Sequence, residues 1–296
     1  MREERSPIRE ERSPIREERS PIGDRASTAP SHRASTERGI PLSAEELERY
    51  SRQLLMAEWS GAAQERLRAA RAVVVGAGAL GSPVAAYLAG AGVGRIDIVD
   101  GDRVELSNLH RQPLHSTSDV GRLKAEVAVE RLQALNPGVA AYAQPTMLGR
   151  ANARALVAGA DIVVDCTDSF ESRYAINDAC CAEGIDLVEA GVVAFDGLVM
   201  SVRPGVSACY RCAFEVAPPA DARRSCRDTG VLGAMAGVVG SIQALEALKV
   251  LGGVGSPLFD RILQIDGHEM GQTIVSTSRR AGCPACAGAA AAPSSA

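Results

Sequence analysis

Val73-Val74-Val75-Gly76-Ala77-Gly78-Ala79-Leu80-Gly81 decides the fold of this chain. The valine run is expected as a buried parallel strand, and Gly76, Gly78 and Gly81 then follow at the spacing Gly-x-Gly-x-x-Gly. Glycines so placed let the chain turn tightly and let its backbone approach a phosphate at the N-terminus of the next helix. Three such glycines alone are a weak signal. A second apolar run, residues 96–99, ends in Asp100. That acid comes about 20 residues after the turn, where a carboxylate can accept hydrogen bonds from ribose hydroxyls. Together the two runs predict a Rossmann-like βαβ unit.

Outward from this unit the chain alternates. Helices are expected at 45–57, 61–70, 79–91, 120–135, 151–158 and 172–183, and strands at 96–100, 139–143, 162–165 and 187–190. This alternation specifies an α/β fold of three layers, α/β/α, with a mostly parallel sheet between helices. Past Gly191 the pattern changes to a hairpin around Phe195-Asp196-Gly197-Leu198, a long helix over 229–251, and two strands within 259–275. The sheet is therefore expected to be extended by antiparallel C-terminal strands. No Pro/Ser-rich linker separates the halves, so residues 43–288 read as one domain.

The 296 residues are 46% hydrophobic, enough for a sizeable core. A formal net charge of -4 gives no bulk electrostatic reason for nucleic acid or anionic membrane as a partner. No apolar stretch approaches the roughly 18 to 20 uninterrupted residues of a membrane span, and the N-terminus is charged, so the chain is expected in the cytoplasm. Residues 2–22 are three copies of Arg-Glu-Glu-Arg-Ser-Pro-Ile. A proline every seventh residue blocks a continuous helix, and one isoleucine per repeat forms no core. Residues 1–42 are thus expected as a disordered low-complexity tail, solvated or acting as a docking arm, and 289–296 as a second tail. Order begins near Ser43-Ala44-Glu45-Glu46, which has the form of a helix N-terminus.

Arg111, Gln112 and Lys124 follow the Asp100 strand, and in open α/β sheets ligands bind outside the carboxyl ends of the strands. Arg can grip phosphate bidentately and Lys adds a compact charge, a combination suited to a triphosphate. Each alone is more often a solvated surface charge. Asp165-Cys166-Thr167-Asp168 closes another strand at the same rim, where Asp168, with Asp100 or Asp102, could hold Mg²⁺; Asp168 could equally cap the helix near Ser172.

Cys209-Tyr210-Arg211-Cys212 and Cys283-Pro284-Ala285-Cys286 form two Cys-x-x-Cys pairs. In a reducing compartment these point to a four-cysteine Zn²⁺ site, a staple with no open position for catalysis. A redox pair is the rival, but neither motif has strand-to-helix placement. Cys226 lies in Arg223-Arg224-Ser225-Cys226-Arg227-Asp228, where arginines favour the thiolate and a reactive role, or it lies in an ordinary surface loop. Cys166, Cys180 and Cys181 read as packing residues.

These motifs, with Arg49-Tyr50-Ser51-Arg52-Gln53, Ser107-Asn108-Leu109-His110-Arg111-Gln112 and Gly121 to Lys124, occur in an order that resembles the ubiquitin-activating, E1-like enzymes of the ThiF, MoeB and HesA type. The resemblance covers about residues 45–288. It implies ATP-dependent adenylation of the C-terminal glycine of a small ubiquitin-like sulfur carrier, ThiS- or MoaD-like, ahead of thiocarboxylate formation in thiamine or molybdenum cofactor biosynthesis. It further implies that Asp100 binds ribose, that Asn108, Arg111 and Lys124 contact phosphates, that Asp168 serves Mg²⁺ and catalysis with Ser169 beside it in the nucleotide site, and that Arg52 reaches into the partner's site of a homodimer. Cys226 matches a cysteine that takes part in sulfur transfer, and a separate donor such as a cysteine desulfurase is implied. Ala79 and Ser169 depart from the glycine and asparagine usual in such enzymes. Two other classes compete: an NAD-dependent oxidoreductase, which leaves the cations and cysteines unused, and a non-catalytic scaffold for a ubiquitin-like partner.

Overall fold

The computed structural model describes residues 41–217, 219 and 229–288. Of the expected tails, 1–42 and 289–296, residues 1–40 and 289–296 lie outside them, as does Cys226. Among the described residues eight strands form one sheet in the order β3-β2-β1-β4-β5-β6-β7-β8. These are β1 (Arg71–Val75), β2 (Arg95–Val99), β3 (Ala140–Gln144), β4 (Ile162–Asp165), β5 (Asp186–Val193), β6 (Asp196–Val202), β7 (Arg261–Asp266) and β8 (Gly271–Ser276). Strands β1 to β5 pair in parallel, and β5 to β8 pair antiparallel, so the expected change of pattern past Gly191 is the β5–β6 hairpin.

Strict alternation divides the core. Ala72 and Val74 of β1 face one layer with Ile96, Ile98, Ile162 and Val164, while Val73 and Val75 face the other with Val99, Val163 and Leu187. The first layer is covered by α3 (Gly61–Ala69), α4 (Gly81–Ala91), α5 (Lys124–Leu135) and α9 (Gly233–Gly252). The second is covered by α6 (Ala153–Val157), α7 (Phe170–Glu183) and α8 (Tyr210–Ala213). Because both faces are covered, β1 and β4 read as continuous apolar runs.

Two expectations are corrected by local contacts. The first helix is broken into α1 (Ala44–Arg49) and α2 (Ser51–Leu54) at Tyr50, whose hydroxyl accepts from Asn136 Nδ2 at 2.9 Å. Helix α5 starts at Lys124, not Val120, because Gly121 adopts φ +88° and the chain before it pairs with Val104. Helix α9, 20 residues at mean hydropathy 1.4, is long and apolar enough to cross a membrane by length and composition only, although Glu246 and Lys249 interrupt its apolar run. Its hydropathy comes mainly from Val238, Val239, Ile242, Leu245, Leu248, Val250 and Leu251. Half of that stretch is buried inside the fold, packed against α4 and β5. There Glu246 accepts from Ser201 Oγ at 2.8 Å and from Leu258 N–H at 2.6 Å.

Candidate functional site

The strand order turns at β1, with β2 and β3 on one side and β4 and β5 on the other. A cleft of about 800 Å³ opens where β1, β2 and β4 end, at Val75, Val99 and Cys166. Ligands bind at such a switch point because the loops leaving adjacent strands diverge there.

The glycine turn forms its floor. Gly76 has φ +97°, and a Cβ there would lie 2.9 Å from the Cys166 carbonyl oxygen; at Gly81 it would fall 1.8 Å from the Gly76 carbonyl oxygen. Gly78 is different, since a Cβ there meets just Gln112 Nε2 at 3.6 Å, so its missing side chain serves the cleft and not the turn. Ala79 is absent from the residues with positive φ, and its methyl therefore strains no backbone. Helix α4 starts without a side-chain cap; Ser82 N–H donates to the Gly78 carbonyl at 3.0 Å and Val84 N–H to the Leu80 carbonyl at 3.2 Å, and Pro83 has no N–H.

Asp100 is 9% exposed at the end of β2. Its Oδ2 accepts from Ala77 N–H at 2.7 Å and its Oδ1 from Asp102 N–H at 2.8 Å, so this acid also fastens the turn. Burial pushes its carboxyl above the ordinary value, against the Ala77 N–H and the Lys124 charge. Lys124 opens α5 with Nζ 3.0 Å from Asp102 Oδ2. Asn108 is buried in a short 3-10 turn, Leu106–Asn108, and Arg111 Nη1 donates to the Ser107 carbonyl at 2.9 Å. Gln112 is buried, and its Oε1 has no protein partner. Opposite them Asp168 is exposed; the cap of α7 is Ser169, whose Oγ accepts from Ser172 N–H at 3.0 Å. The alternative role for Asp168 as helix cap is thus taken by its neighbour.

Gly76, Gly78, Ala79, Asp100, Asp102, Ser107, Asn108, Arg111, Gln112, Lys124, Asp168 and Ser169 line this one cleft. Gly81, Leu109 and His110 do not; Gly81 packs against the turn, and His110 Nε2 lies 2.8 Å from Arg111 Nη1. Arg52 is exposed on α2, away from the lining. Arg103 and Arg173 add cationic groups to the walls that sequence reading passed over. It also passed over His115, whose Nε2 lies 3.0 Å from the Ala77 carbonyl oxygen beneath the turn. Burial holds His115 below the ordinary imidazole value, so the ring is neutral and donates from Nε2. A histidine three residues past Gln112 was the available signal.

Across the sheet, the four expected thiols converge. Cys209 Sγ is 3.6 Å from Cys283 Sγ, Cys212 Sγ is 3.5 Å from Cys286 Sγ, and all four lie within 4.8 Å of one another. Four sulfurs about 2.3 Å from a tetrahedral zinc stand about 3.8 Å apart, so the donor set fits. The separations exceed any disulfide, and the described cysteines are free thiols. Against the cost of burial, the Cys286 and Ala285 N–H groups draw the Cys283 thiol down to about 7. Arg280 N–H and Asn177 Nδ2 are directed at the Cys212 and Cys209 sulfurs, at 3.4 and 3.8 Å.

The ThiF family profile matches residues 50–285. The chain is 47% identical over 247 residues to the sulfur carrier protein adenylyltransferase of Thermus thermophilus, covering 82% of this chain and 91% of that one. With the adenylyltransferase and sulfurtransferase MOCS3 of Drosophila grimshawi it shares 42% over 247 residues, 83% of this chain and 55% of that protein, so it spans about half of that relative's length. Among solved structures, E. coli MccB with MccA-N7isoASN superposes with TM-score 0.74 at 25% identity, over 81% of this chain and 74% of that one. A profile match running from the helices before the glycine turn to the last cysteine pair, on this sheet order, means that the chain belongs to the ThiF family of E1-like adenylyltransferases.

Proposed function

We propose that the chain uses ATP to adenylate the C-terminal glycine carboxylate of a small ubiquitin-like sulfur carrier. The observation that carries this reading is the single cleft in which a bare glycine turn, the carboxylate of Asp100 and the cations Arg111 and Lys124 face Asp168. The named activity of the Thermus thermophilus relative supports it.

In the reaction a carboxylate oxygen of the carrier attacks the α-phosphorus of ATP, the bond to the bridging oxygen breaks, and pyrophosphate leaves with the electron pair. The nucleophile is already ionised, so no protein base is needed; catalysis is positioning and charge stabilisation. Asp100 and the turn hold the adenosine half, while Asn108, Arg111 and Lys124 meet the phosphates. Asp168 would hold Mg²⁺, for which an exposed carboxylate beside phosphate is a sufficient protein contribution. When bound, Mg²⁺ supplies charge neutralisation along the phosphates.

Arg52 completes the set by reaching into the site of a second copy, a homodimer being the arrangement that employs an exposed arginine on α2. The four cysteines hold Zn²⁺ as a structural staple, and free thiols suit a cytoplasmic location. Sulfur comes from a separate donor such as a cysteine desulfurase, and Cys226 takes part in its transfer. The pathway is thiamine or molybdenum cofactor biosynthesis.

Pyrophosphate exchange with a purified ThiS- or MoaD-like carrier tests the reading, with exchange expected to require the carrier's terminal glycine. Absence of exchange with every carrier of the host overturns it. Cys226→Ala should leave exchange intact and lower thiocarboxylate yield; normal yield returns that residue to a surface loop.

A further inference from the structure

Beneath the Asp168 rim lies a charged cluster whose cation, Arg173, also lines the cleft wall without an assigned role. Asp165 and Glu189 are register partners on the parallel strands β4 and β5, both 0% exposed. Among the described residues no donor group reaches either oxygen of Glu189 or Asp165 Oδ2, and burial beside the Asp165 carboxylate pushes the Glu189 carboxyl well above its ordinary value, Arg173 opposing it. Arg173, on the first turn of α7, places Nη1 3.5 Å from Glu189 Oε1. Its Nη2 donates to the Thr167 carbonyl at 3.1 Å, the peptide that leads directly into Asp168.

The surroundings are shaped to this guanidinium. A Cβ on Gly191 would fall 2.8 Å from Arg173 Nη1, so the bare backbone of β5 makes its slot. The Tyr210 phenol lies against the same guanidinium and is next in sequence to the knuckle residue Cys209. Tyr210 N–H in turn donates to Asn177 Oδ1 on α7 at 2.8 Å, and Arg211 pairs with Asp178 of that helix. Helix α7 is therefore fixed at its middle by the knuckle and at its start by Arg173.

A buried ion pair is a poor device for stability alone, since well-packed apolar residues in its place are often as stable or more so. What an apolar residue could not do is hold the Thr167 carbonyl. We propose that Arg173 is a positioning residue: anchored by Glu189 and walled by Tyr210, it fixes the Thr167–Asp168 peptide and so aims the Asp168 carboxylate at magnesium on the triphosphate. The proposal rests on the reading of the cleft as an ATP site.

The test separates positioning from folding. Arg173→Met leaves Glu189 buried and unpaired, and its unfolding midpoint should fall; Arg173→Met with Glu189→Gln removes both charges and should recover it. Calorimetric titration of the full chain with MgATP, no carrier present, should show affinity lowered about tenfold in both variants, the loss of one hydrogen-bonded constraint on a charged ligand. Affinity for AMP, which lacks the pyrophosphate, should stay within about twofold of wild type, because the adenosine half does not touch this peptide. Arg173→Lys keeps the charge beside Glu189 and hence the fold, and should lie between. Recovery of MgATP affinity together with stability in the double variant, or an equal loss for AMP, overturns the proposal and leaves the ATP reading standing. A wild-type chain that binds no MgATP overturns both.

Discussion

Lys124 Nζ lies 3.0 Å from Asp102 Oδ2 in an uneven pair: the lysine side chain is 7% exposed and the carboxylate 48%. The cation is held inside the cleft wall while its partner stays wet. An entering triphosphate competes with one half-solvated carboxylate for a preplaced ammonium, which is an easy exchange. Lys124→Ala leaves Asp102 in water but also takes a compensating charge from the buried Asp100 carboxylate, and should cost about 1–3 kcal/mol of stability. Pyrophosphate exchange should fall by about 100-fold or more, the magnitude of losing one preorganised charge on the reacting phosphates. Thermal unfolding and exchange on the same preparation check both halves.

The glycine turn separates steric need from ligand need. Gly81→Ala puts a methyl 1.8 Å from the Gly76 carbonyl and should destabilise by about 1–3 kcal/mol through overpacking. Gly78→Ala meets nothing closer than 3.6 Å and should fold normally while losing ATP affinity. Ala79→Gly should change exchange little and lower stability by up to about 1 kcal/mol, through the freedom it gives the unfolded chain. Denaturant titration beside ATP calorimetry on the three variants reads the distinction.

Burial depresses His115 below its ordinary 6.5. Below that value the unfolded chain takes up a proton that the folded chain refuses, so stability falls as pH drops from 6.5 toward the folded-state value. The slope is at most about 1.4 kcal/mol per pH unit for one proton. Substituting His115→Gln should remove this component, so the difference in unfolding free energy between pH 7.5 and 5.5 should shrink relative to wild type. An unchanged difference would show that other groups govern acid sensitivity.

The knuckle should hold one zinc per chain by elemental analysis. Cys283→Ser should lose the metal and lower the unfolding temperature, because metal bound by four thiolates is folding free energy. Gly205 and Arg211 lend their carbonyls to Arg279 and Arg280, side chains that tie the same C-terminal segment down, so the loss should extend beyond the ligand itself.

The βαβ unit and its cleft were readable because their signals are local: a valine run, glycines whose Cβ atoms would collide, and an acid at the next strand end. Lys124, Arg111 and Asp168 followed from the rule that strand ends face the ligand. Helix ends were less legible. The break at Tyr50 depends on Asn136, far along the chain, and the start of α5 on the pairing of Val104 with Arg122. Glu189 and Arg173 were invisible for a related reason. Their meeting requires the register of β4 on β5 and the phase of α7, and neither is written in any short window. A lone glutamate inside Leu187-Val188-Glu189-Ala190 was the one hint.

The cysteine cluster joins residues 209–212 to 283–286 and so imposes an order on the molecule's assembly. Synthesis proceeds from the N-terminus, and the strands carrying the cleft emerge long before Cys283. Until then Cys209 and Cys212 offer a metal half its ligands. The last link to close is therefore the one that ties the C-terminal segment to α8, and a ribosome that stops short of Cys283 releases a chain with its nucleotide cleft encoded in full but its clasp left open.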